Sequence, residues 1–136
     1  MSLCKKMKSE NYVTCHLSEM EVENENHFVF LHHIYEYKKG LRNLVLHTTN
    51  KKSKKRIKER LLRENIHNII YDIGSKNINV FFGSKTCIEI IKHINKEKLF
   101  DFSDEEDFIL GTMLGYDRDI QCKRYLEKKN KILKIN

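Results

Sequence analysis

Three places in the chain gather residue types that do chemistry. The densest is DFILGTMLGYDRDIQCKRYLEKK, where Cys122, Arg124 and Tyr125 lie close together and Asp117 and Asp119 precede them. A nucleophilic site needs a thiol or hydroxyl with a base and an orienting group, so an enzyme would use Cys122 with Arg124 or a nearby tyrosine. Cys122, Tyr125 and Leu126, however, share one helical face at separations of three and four. That spacing predicts a buried, inert thiol packed on the preceding helix, with Arg124 turned toward Asp117 or toward a carboxylate outside the domain. Cys122 also stands fifth after Asp117, too far along for the helix N-terminus to depress its pKa strongly. The second place is NVFFGSKTC, a strand end followed by Gly-Ser-Lys-Thr and a helix. A phosphate loop needs GxxxxGK[ST], whose long turn wraps its N–H groups around the phosphates. Here Ser84 follows Gly83 directly, leaving a helix N-terminus capped by Ser84, with Lys85 beside it, that can hold one anion.

The third place is the histidines, with His32 and His33 beside Tyr35 and Tyr37. Adjacent helical residues point about 100° apart, so this pair does not share a metal, and the two close ligand pairs of structural zinc are missing from the sequence. A single histidine can ligate haem iron, which keeps haem or a small ligand as a second alternative function. No cofactor is otherwise expected. The sequence has no G-x-S-x-G elbow, HExxH helix or dinucleotide loop, and catalysis is not expected.

The charge pattern points to binding. The 136 residues carry a formal charge of +7, with 26 basic residues that are lysine except for Arg42, Arg56, Arg60, Arg63, Arg118 and Arg124. So lysine-rich a mixture is poorly equipped for base readout, which uses arginine forks. The excess concentrates in KKSKKRIKERLLRE, where Lys51, Lys52, Lys54, Lys55, Arg56, Lys58, Arg60 and Arg63 face only Glu59 and Glu64. Such a run reads first as a solvated face, next as a surface for an acidic protein partner, and as the alternative a contact for a nucleic-acid backbone.

The elements that must position these residues follow from periodicity. The length suits one domain with its own core, and 40% hydrophobic with 33% charged residues is a globular balance. Scattered cysteines without a CxxC pair fit a reducing compartment. No apolar run approaches the ~20 residues a bilayer requires, so a cytoplasmic protein that does not bind membranes is expected. Residues 1–26 read as a polar arm and 27–136 as one domain. FVFLHHIYEYKKG reads as a helix stopping at Gly40, although Phe28–Leu31 also fits a strand. Leu41–Thr48 alternates as a strand. The basic helix follows, capped at Thr49 or Asn50, with an apolar stripe of Ile57, Leu61 and Leu62. IHNIIYDIG and NINVFFG read as a hairpin about Gly74–Ser75–Lys76. SKTCIEIIKHIN should turn Cys87, Ile90, Ile91 and Ile94 inward. Ser103 and Glu106 form a capping box, Gly115 stops that helix, and Asp117 caps the last. The expected class is α+β: a small antiparallel sheet of βαββα type, helices on one face of it, and a C-terminal helical hairpin.

Two stretches resemble a known family. HHIYEYKKGLRNLVLHT contributes His33, Tyr35, Glu36, Tyr37, Lys39, Gly40, Leu41 and Arg42, and EEDFILGTMLGYDRDIQCKRY contributes Asp107, Leu110, Gly111, Leu114, Gly115, Tyr116, Asp117, Gln121, Cys122, Arg124 and Tyr125. Over about 28–129 the chain resembles the bacterial domain-of-unknown-function family 2023. The resemblance implies a small cytoplasmic α+β domain with no assigned activity, encoded in some cases beside a flavodoxin. A flavodoxin-like redox protein is therefore the acidic partner it implies. His33, Tyr35, Tyr37, Arg42, Gln121 and Arg124, drawn from both stretches, form a candidate interaction surface if the two ends meet in space.

Overall fold

The computed structural model describes residues 19–135. Its centre is the strand that the sequence writes as an almost unbroken apolar run. The strands are β1 (Leu44–Asn50), β2 (His67–Ile73) and β3 (Asn77–Gly83), arranged β1-β3-β2 with both pairings antiparallel. β3 is thus hydrogen-bonded on both edges, and every residue from Ile78 to Gly83 is buried. A strand whose alternate side chains are all buried needs cover on both sheet faces.

Helices supply that cover. On one face α1 (Glu19–Lys38) and α2 (Lys54–Arg63) bring Phe30, Ile34, Ile57 and Leu61 against Val45, Ile78, Val80 and Phe82. On the other, α3 (Lys85–Ile94) and α4 (Asp104–Met113) bring Ile88, Ile91 and Leu110 against Leu44 and Phe81. Each fully buried Ile or Phe contributes roughly 1.5–3 kcal/mol. α5 (Arg118–Ile135) lies outside this sandwich and packs on α4.

The α+β class, the antiparallel sheet and the packed C-terminal helix pair match the sequence expectation. Local signals hold as well. Ser103 and Glu106 make a reciprocal capping box, Ser84 caps α3, and the Asp117 carboxylate accepts from the Ile120 N–H at 3.0 Å. The basic helix differs: Asn50 caps a short 3-10 turn at Lys51–Ser53, and α2 itself begins after Ser53, which makes no side-chain cap bond. Ile73 and Asn77 close the β2–β3 hairpin about Gly74–Ser75–Lys76.

Several expectations are corrected. Helices cover both faces of the sheet rather than one, because β3 is apolar on both sides. α1 begins at Glu19, so the 26/27 boundary falls inside a helix and EMEVENEN is helical; residues 1–18 lie outside the described part. Phe28–Leu31 is helix, not strand. β1 starts at Leu44, since Leu41–Asn43 turn the chain out of α1. Ile90 is 40% exposed and Leu62 is 82% exposed, while Ile88 takes the inward place in α3.

Two glycines set close approaches. Gly83, at φ +151°, lies where an added Cβ would stand 2.2 Å from the Asn43 carbonyl oxygen, which accepts from the Ser84 N–H at 2.9 Å. Gly111 admits the Gln121 side chain, 2.2 Å from its would-be Cβ. The Asn43 obstacle is backbone and cannot swing aside, whereas Gln121 ends a side chain that can. Gly83→Ala should therefore cost about 3 kcal/mol or more of unfolding free energy, and Gly111→Ala about 1–2 kcal/mol. Urea titration of both variants checks the order. Equal or reversed losses would contradict these contacts.

Candidate functional site

The basic run becomes a surface through the burial of only two of its residues. Ile57 and Leu61 fix α2 on the sheet, so the residues between them project outward. Lys51, Lys52, Lys54, Lys55 and Lys58 line one concavity together with Glu59. The Asp72 carboxylate, on β2, pairs with Lys54 at 3.1 Å and Lys51 at 3.5 Å, and the Lys54 ammonium in particular holds the Asp72 pKa below its usual value. Among the described residues, Lys55 and Lys58 have no carboxylate partner. The arginines of the run diverge from this group. Arg60 pairs with Glu64 at 3.2 Å, and Lys38 bonds the same carboxylate. Arg56 faces His27, whose pKa is lowered by burial and then by Arg56 and Arg60. Arg63 is exposed.

A further lysine reaches this region from elsewhere in the chain. Asn50, Lys51, Lys52, Ser75 and Lys76 line an adjoining concavity of about 480 Å³. The Lys51 N–H donates to the Lys76 carbonyl at 2.8 Å, tying the β1–α2 junction to the hairpin turn. Lys76 is the member of this surface that the sequence reading missed. It lies outside the basic run, and only the antiparallel register Asn50↔Asn77 brings it there.

The candidate polar set does not assemble. Tyr35, Tyr37 and Arg42 group with His33 on the α1 side of the sheet, whereas Gln121 and Arg124 belong to α5 beyond the opposite face. Arg42 donates to His33 Nδ1 at 3.2 Å, Tyr35 stacks on His32, and Lys39 stands over the Tyr35 ring. Gln121, expected at the surface, is buried against Gly111. Arg124 pairs with Asp107 at 3.2 Å rather than with Asp117.

Cys122 is exposed, contrary to the expectation of a buried thiol. With Gln121 on the inner line of α5, residue 122 rotates about 100° outward. It opens into a groove of about 480 Å³ with Phe108, Ile109, Tyr125, Leu126 and Glu105. The Lys129 ammonium, 2.7 Å from Glu105, is the main reason that carboxyl falls to about 2. Ser84 and Lys85 stand at the α3 N-terminus, where the Ser84 hydroxyl accepts from the Cys87 N–H.

Behind α1 lies a group of rings that the sequence did not announce. His47, on β1, is 7% exposed, with its ring 5.7 Å from both Phe30 and His33. Its Nε2 is buried without a hydrogen-bond partner. Burial, followed by the charges of His33 and His27, takes its pKa down to about 4. Among the described residues, no group of three or more His, Cys, Asp or Glu is placed to hold a metal, and no helix is long and apolar enough to cross a membrane.

A family model described as a protein of unknown function (DUF2023) matches residues 28–128. No curated protein matches the sequence.

Because the folded-state pKa of His47 lies below the unfolded value near 6.5, the unfolded chain takes up the proton first. Stability should fall as pH drops from 6.5 toward 4, by roughly 2 kcal/mol between pH 7 and pH 5. Denaturant titrations across that range should show His47→Leu losing at least half of the slope. A slope equal to wild type would remove His47 as the cause.

Proposed function

The chain belongs to this DUF2023 family, and we propose that it is a non-catalytic interaction protein of the cytoplasm that docks an acidic protein on its lysine face. One observation carries the reading: Lys51, Lys52, Lys54, Lys55 and Lys58 line one concavity on the outer side of the sheet, together with Glu59. The contrast with α5 sharpens it. That helix also carries several cations, but Arg124 and Lys128 are held by Asp107, Lys129 by Glu105 and Asp104, and Lys123 by Asp119. Four cations of α5 are thus paired within the molecule, whereas Lys55 and Lys58 of α2 point outward and can steer an encounter.

An acidic protein suits this face better than a nucleic-acid backbone. The converging cations are lysines, not the arginine forks that read base edges. A flavodoxin-like electron carrier is the first partner to try, because the family resemblance carries that association.

Fluorescence anisotropy with labelled polyglutamate, a flavodoxin and a 20-base-pair duplex tests the reading. At physiological salt the acidic protein and polyglutamate should bind and the duplex should not. Lys54→Glu/Lys55→Glu should weaken binding about tenfold or more, while Arg42→Ala should leave it unchanged. Binding of the acidic probes that ignores the double reversal would sink the proposed face, and tight duplex binding would favour the nucleic-acid alternative.

A further inference from the structure

We propose that the concavity lined by Asn50, Lys51, Lys52, Ser75 and Lys76 binds a polyphosphate group, such as inorganic pyrophosphate or the diphosphate of a nucleotide. This site adjoins the docking face but goes beyond it, because it recognises a small molecule and stands whether or not a protein docks.

Three lysines from two separate chain segments line the concavity with a serine and an asparagine. Among the described residues Lys76 has no carboxylate partner. A single carboxylate would neutralise one ammonium. A diphosphate spreads several charges over many acceptor oxygens and can engage all three, with lysine acting as a point charge for each phosphate. The volume of about 480 Å³ lies within the roughly 300–1,000 Å³ of small-molecule sites.

The walls are fixed before any ligand arrives. Asn50 and Asn77 pair at the end of the β1–β3 ladder, the Lys51 N–H is bonded to the Lys76 carbonyl, and Asn50 Oδ1 accepts from the Lys52 N–H at 2.9 Å. The backbone that carries the lysines is therefore held in register, and binding has only side chains to order. The Asp72 carboxylate is one built-in competitor. It draws Lys51 toward β2 at 3.5 Å, so an anion in the concavity must share that ammonium.

Titration of the 15N-labelled chain with pyrophosphate and, separately, with ADP tests the site. Saturable shifts should concentrate at residues 50–53 and 74–77. Lys76→Gln, an exposed change, should weaken both ligands about tenfold. Asp72→Asn should strengthen them, and Lys55→Gln/Lys58→Gln, outside the concavity, should cost less than Lys76→Gln. Equal affinities for the two ligands would assign the site to the phosphates alone, and tighter ADP binding would assign it to a nucleotide. Unsaturable shifts spread over all lysines, or Lys76→Gln binding as wild type, would overturn the proposal.

Discussion

The double-sided burial of β3 is the constraint on which the rest depends. Its side chains alternate between two apolar cores, with Ile78, Val80 and Phe82 toward one and Phe81 toward the other. Neither core closes without helices, so α1 and α2 must occupy one face while α3 and α4 occupy the other. That division places every candidate residue. It sets the lysines of α2 on the outer side of one layer, and it keeps the two motif stretches apart. The antiparallel register of β3 with β1 then delivers Lys76 beside Lys51.

Charge is distributed differently on the two layers, for local reasons. α4 opens with Asp104, Glu105, Glu106 and Asp107, which suit the positive end of a helix. α5 then turns its cations onto that acidic end, and Tyr125 donates to Glu105 at 3.1 Å. Exposed pairs of this kind are worth about 0–1 kcal/mol each, so they orient α5 more than they stabilise it. Among the described residues, α2 pairs its cations only with Asp72 and Glu64. Its first turn carries no acidic residue, an arrangement that costs helix stability and leaves a positive field outside.

Much of this was legible in the sequence where the signal is local. Ser103 with Glu106, Asp117, Ser84 and the turn about Gly74 each specify a cap or a hairpin within a few residues, and each holds. Features set by tertiary packing were less legible. The run INVFFG already hinted at cover on both faces, because half-buried strands alternate and doubly buried ones do not. EMEVENEN is too polar to announce a helix. Cys122 and Gln121 were exchanged between inside and outside because Gly111 admits a glutamine where an apolar side chain was expected. His47 reads as one polar residue in an alternating strand, and only α1 packing over it reveals a buried imidazole. Lys76 could be placed only by strand register.

The positive field of the lysine face can be mapped residue by residue. Paramagnetic relaxation of backbone amides by freely diffusing anionic and cationic nitroxides reports the local potential directly. The account predicts that the anionic probe exceeds the cationic one most strongly at residues 50–59 and 75–76, with little difference along α5. An even ratio over the whole surface, or a maximum on α5, would contradict it.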